Sequence, residues 1–112
     1  MKKTVKKLDN NVIKALTIVC EEFKNKGIGF EWLTHTADYA NFPGSLIVTC
    51  VFDSNSDLQN AKNNQTDIEI RVHIQKQLFK AGILLKDARR HVCFDTEEAC
   101  LAESDGNWKL RL

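Results

Sequence analysis

The sequence predicts an α+β fold: a two-layer sandwich with element order α-β-β-α-β, in which a small, mainly antiparallel sheet carries its helices on one face. Three observations carry this reading. An apolar stripe with helical spacing runs through residues 8–27. Two runs rich in aromatic and β-branched residues flank Asn41-Phe42-Pro43-Gly44-Ser45, and a segment opening at Thr66 couples a helix-start signature to a terminating glycine at Gly82. The chain has 112 residues, 43% apolar and 28% charged, an ordinary globular mixture with room for one core, so residues 1–112 are read as a single domain.

In the first segment Val12, Leu16, Val19, Cys20 and Phe23 recur at three and four residues and form one helical stripe. Asp9 or Asn10 is placed to accept from the free amides at its start, Lys24 and Lys26 suit its carboxyl end, and Gly27 supplies a left-handed cap. The next segment, FEWLTHTADYANFPGSLIVTCVFD, is a hairpin pattern. Pro43-Gly44 fits the central positions of a type II turn, with proline presetting the first φ and glycine taking the positive second one. In the second strand Leu46, Val48, Cys50 and Phe52 share one face while Ile47, Thr49 and Val51 share the other. A strand apolar on both faces belongs in the middle of a sheet or at an interface.

DSNSDLQNAKNNQ reads as a polar connection with one helical turn after Ser56. The following TDIEIRVHIQKQLFKAG is ambiguous, because Ile68, Ile70, Val72 and Ile74 alternate as in a strand. Thr66-x-x-Glu69 is nevertheless a capping box, and Ile70, Ile74 and Leu78 fall on a helical face, so a helix is expected. The remainder gives a connector, a short strand around residues 91–95, a turn of helix from Thr96 and a loop at Asp105-Gly106-Asn107.

Sixteen basic and fifteen acidic residues leave a net charge of +1, which supplies no global drive toward nucleic acid or a membrane. Residues 1–7 carry four lysines and no acid, and are read as a flexible basic terminus, whereas residues 93–105 carry five acids and no base. No apolar run approaches the ~18 residues of a spanning helix, and the lysine-rich start lacks a signal peptide's hydrophobic region, so no membrane association and a cytoplasmic location are expected. In a reducing compartment Cys20, Cys50, Cys93 and Cys100 are expected as free thiols, with Cys20, Cys50 and Cys93 in the core.

The pattern FEWLTH, FPGSL, CVFD, FDTEEAC and GNW, with RL near the end, resembles a group of small uncharacterised bacterial proteins, some loosely labelled Fis-family transcriptional regulators. The resemblance spans most of the chain and implies no established activity. A Fis-type regulator reads DNA through a C-terminal helix-turn-helix, whereas this C-terminal third is acidic and ends in DGNWKLRL.

Enzymatic and metal chemistry find little footing in the residues. His91, Cys93 and Cys100 with Cys50 lack the paired spacing of a structural zinc site, and no metal or cofactor is expected. Asp95, Glu97 and Glu98 oppose the low thiol pKa that catalysis by Cys93 or Cys100 with His91 requires. Were residues 68–74 a strand, Asp53 with Glu69-Ile70-Arg71 would resemble a nuclease's metal-binding acids, with arginine in place of the usual lysine. His35 and His73 read as surface side chains.

The favoured expectation is a non-enzymatic binding or adaptor module that forms a homodimer or receives another protein. Its open sheet face, with Ile47 and Val51, and a tail anchored by Trp108 would form the contact, unless that tail folds back over the face of its own chain and leaves a monomer. The alternative is a nucleic-acid-binding regulator using the N-terminal lysines with Lys76, Lys80, Lys86, Arg89 and Arg90, provided that these share one surface.

Overall fold

The computed structural model describes residues 3–112. The fold is α+β, and its helices pack against a three-stranded sheet of order β1-β2-β3. Along the chain come α1 (Lys3–Lys24), β1 (Phe30–Thr36), β2 (Ile47–Phe52), α2 (Asn55–Asn63), α3 (Thr66–Lys80), α4 (Ala88–His91), β3 (Val92–Thr96) and α5 (Glu97–Ser104). Short 3-10 turns occupy Tyr39–Asn41 and Trp108–Leu110.

β1 and β2 form the expected antiparallel hairpin, and β2 is the central strand. The sheet is mixed rather than mainly antiparallel, because α2 and α3 carry the chain back before β3 pairs parallel to β2. A bulge between Phe30 and Trp32 lets Phe30 pair with Phe52 on the core face while Trp32 pairs with Val51 on the opposite one.

The main core joins Val12, Leu16, Val19 and Phe23 of α1, Ile70, Ile74 and Leu78 of α3, and Val48, Cys50 and Phe52 of β2. Each of these side chains, taken fully out of water, contributes about 1.5–3 kcal/mol of hydrophobic free energy. Ala61 of α2 joins the same cluster, with Leu58 packed against it. Val51 and Cys100 are buried but lie outside that cluster, on the second face of the sheet. The helices therefore do not all lie on one face.

Several local expectations give way to tertiary contacts. Asp9 does not cap α1: its carboxylate accepts from the Tyr39 hydroxyl and bonds to His35 Nε2 at 2.9 Å, so the helix runs on toward the N-terminus. Residues 3–7 are helical rather than a loose end; residues 1 and 2 of that basic run lie outside the described residues. Gly27 has the positive φ of a left-handed cap, as expected. Gly44 does not, so no type II turn forms at Pro43-Gly44, where the Phe42–Pro43 peptide bond is cis. The loop is tied instead by Asp38 and Ser45. The Asp38 amide donates to Ser45 Oγ at 2.8 Å, and that hydroxyl donates to the Asp38 carbonyl at 2.7 Å.

The polar connection after Asp53 is a nine-residue helix, α2, capped by Ser54, whose side chain accepts from the Asp57 amide at 3.0 Å. Only Asn64 and Gln65 separate it from α3, so Thr66 becomes the first helical residue and the expected capping box is not formed; Gln65 turns the chain with φ 61°. The helix over 66–80 is present, which removes the strand on which a nuclease arrangement depends.

Candidate functional site

Two surfaces were candidates: the second sheet face and the outer side of α3. Cross-strand register places Trp32, Val51 and Asp95 in one row on the second face. The C-terminal segment closes this row. Trp108 packs edge-on against Trp32 with ring centroids 4.8 Å apart, and one carboxylate oxygen of Glu97 accepts from both indoles, at 2.7 Å from Trp32 Nε1 and 3.2 Å from Trp108 Nε1. Arg111 grips Asp95 through two bonds of 2.7 Å, and its Nη1 reaches Ser104 Oγ at 3.3 Å. The Arg111 guanidinium holds the Asp95 carboxyl below its ordinary pKa.

Val51, expected on an open face, is therefore 0% exposed within its own chain. Trp108 is half-buried and serves as a latch between its own tail and β1. Ile47, one end of the same strand, remains half-buried opposite Thr36. The second face is left with Thr34, Thr36, Ile47, Thr49 and Cys93 outside the latch, a mixed rather than an apolar surface.

The outer side of α3 is different. Ile68 is 51% exposed, Val72 54% and Phe79 65%, and Leu84 in the following loop is 63% exposed. Ile68, Val72 and Phe79 are spaced by four and seven residues and fall on one helical stripe. Two adjoining grooves run along it, sharing Val72 and Gln75: one is bordered by Lys86, Asp87 and Arg89, the other by Lys76, Phe79 and Leu84. Gln75 braces the groove floor, donating from Nε2 to the Leu85 carbonyl at 3.2 Å. Arg71, at one edge, stacks its guanidinium 5.0 Å from the Phe94 ring centre and pairs with Asp67 at 3.5 Å. Helix α3 is thus apolar on two sides, one in the core and one in water.

The basic residues do not gather into one surface. Lys76 borders the α3 groove, and Arg89 borders its neighbour while pairing with Asp87 at 3.1 Å. Lys80, one turn beyond Lys76 on the same flank of α3, faces a separate groove beside Lys14 of α1, and Arg90 is exposed on α4.

The histidines and the two buried cysteines are spent on structure. His35 and His73 are not free surface side chains. His35 bonds to Asp9, and His73 sits 3.1 Å from Glu22 with its ring edge-on to Phe23. His91 is buried, with Nδ1 2.7 Å from the Leu46 carbonyl. Tyr39, partly buried and donating to Asp9, has its pKa pushed up to about 12. Cys93, expected in the core, is exposed because Val92 and Phe94 take the core side of β3, while Cys50 and Cys100 are buried. All four thiols are free. Among the described residues no group of three His, Cys, Asp or Glu side chains gathers at metal-binding distance, and no helix is long and apolar enough to cross a membrane.

Sequence reasoning named neither Val72 nor Phe79 as a surface residue. The signal was present in the alternation of Ile68, Ile70, Val72 and Ile74: carried on a helix, a period of two distributes apolar side chains to opposite faces. Compared with known protein families, curated proteins and solved structures, the chain matches none.

Proposed function

We propose that the protein is a non-enzymatic binding module whose working surface is the outer stripe of α3. The observation that carries this reading is the continuity of Ile68, Val72, Phe79 and Leu84, each more than half exposed, along two joined grooves. Scattered exposed apolar residues are ordinary; a row at helical spacing with a groove beside it is the form of a helix-docking site. The surface proposed from the sequence, with Val51 and Trp108, gives way to α3 because the chain's own tail occupies that row.

The nucleic-acid reading has one supporting feature. Lys3, Lys7 and Lys14 share a flank of α1, and Lys14 borders a groove with Lys80 that contains no acid. It is the weaker reading, since Lys76 lines a different groove and Arg89 already pairs with Asp87.

A benzophenone side chain placed at position 79, and as a control at Glu31, tests the proposal by photocrosslinking in cells that make the protein. A discrete adduct from position 79, absent from position 31 and lost on adding Val72→Glu, is expected. The absence of any adduct at 79 overturns the reading.

A further inference from the structure

We infer that the occupant of the α3 stripe is a second copy of this chain, bound with its own α3 antiparallel across a two-fold axis. The inference rests on the α3 docking surface proposed above and adds the identity of the partner. The order of side chains along the helix carries it. Setting Ile68 opposite the copy's Phe79 brings Val72 opposite the copy's Gln75, and the two-fold axis repeats both contacts. The apolar stripe is thus complementary to its own reverse.

The charges follow the same register. Glu69, Lys76 and Lys80 lie on one flank of the stripe, and in an antiparallel two-fold pair equal flanks meet. Glu69 then falls between Lys76 and Lys80 of the copy, about 3 Å along the axis from each, given a rise of ~1.5 Å per residue. Within a single chain these groups lack such partners: among the described residues none of the three forms an ion pair. Lys76 and Lys80, one turn apart, repel each other, and a carboxylate set between them removes that penalty. A parallel arrangement brings opposite flanks together and offers Lys76 and Lys80 no carboxylate of α3. On the opposite flank Arg71 pairs with Asp67 through Nη1 at 3.5 Å, and its buried Nε has no hydrogen-bond partner among the described residues.

A 15-residue helix presents about 22 Å of contact. The interface therefore belongs to the small class, and a dissociation constant of order micromolar is expected.

Sedimentation of purified full-length protein tests this with two charge variants. Glu69→Lys alone, and Lys76→Glu with Lys80→Glu, each set like charges face to face and should raise the dissociation constant at least tenfold. An equimolar mixture of the two variants restores opposite charges on both sides of the axis and should form a heterodimer near wild-type affinity. A misfolded variant cannot produce that rescue. A wild-type protein that stays monomeric at millimolar concentration overturns the inference, as does a dimer indifferent to both variants or a mixture that fails to associate. The position-79 crosslink separates this failure from that of the docking surface: an adduct of twice the chain's mass supports the second copy, an adduct of another mass retains the surface and excludes the copy, and no adduct removes both.

Discussion

Cys50 and Cys93 sit on neighbouring strands with opposite fates. Cys50 points into the core, where burial pushes its thiol pKa up, while Cys93 is exposed with its sulfur 3.4 Å from Thr49 Oγ1. Burial likewise raises the Cys100 thiol. The thiolate is the reactive form, so reaction with a thiol reagent at mildly alkaline pH should label Cys93 at once. Cys50 and Cys100 should react about 1,000-fold more slowly or less, the factor set by opening of a marginally stable domain. Mass mapping of the labelled peptides checks this, and rapid modification of Cys50 would contradict the packing described. The sequence could not separate these thiols, because a five-residue strand such as β3 states an alternation but not which side meets the core. Histidines were misread for a related reason. The partners of His35 and His73, Asp9 and Glu22, are distant in sequence and meet them only in the folded chain.

The elements were more legible where periodicity was long. α1, the β1–β2 hairpin and α3 each extend over enough residues for pattern to outweigh local ambiguity. The caps were less so, since capping groups compete for tertiary bonds, as Asp9 and Thr66 illustrate. Gly27 was legible as a cap, and Thr96, where a turn of helix was expected to begin, has a larger role than a helix start. Its hydroxyl accepts from the Ala99 amide at 2.9 Å to begin α5 and donates to Asn55 Oδ1 at 2.6 Å at the start of α2. Glu98 adds to the same junction, accepting from the Asn55 amide at 2.9 Å. Thr96 is only 1% exposed, so removing its hydroxyl leaves polar atoms in poor contact with water. Thr96→Ala should therefore destabilise by about 1–2 kcal/mol in urea denaturation, and Thr96→Ser should recover most of the loss. Equal losses for both would assign the effect to the methyl group rather than to the cap.

At the scale of the molecule, the central question is which apolar surface is closed by the chain itself and which is left open. Strand pattern alone identified β2 as apolar on both sides, and it is indeed the central strand. What covers its second face depends on the last residues of the chain, where a 3-10 turn too short to declare itself by periodicity brings Trp108 onto Trp32. This assigns opposite consequences to two aromatic residues. Trp108→Ala removes the edge-on packing and one of the two indole bonds to Glu97, uncovers the row containing Val51, and should lower stability by about 1–3 kcal/mol without changing the association of the folded protein. Phe79→Ser removes a side chain that is 65% exposed and packs on little of its own domain. It should leave monomer stability within about 0.5 kcal/mol and abolish association, because the stripe loses the residue opposite Ile68 of the copy. Urea denaturation at low protein concentration, where the monomer dominates, measures the first quantity, and sedimentation measures the second. If Trp108→Ala instead dissociates the protein at unchanged stability, the tail is an intermolecular anchor and the second sheet face, not α3, is the surface that a partner covers.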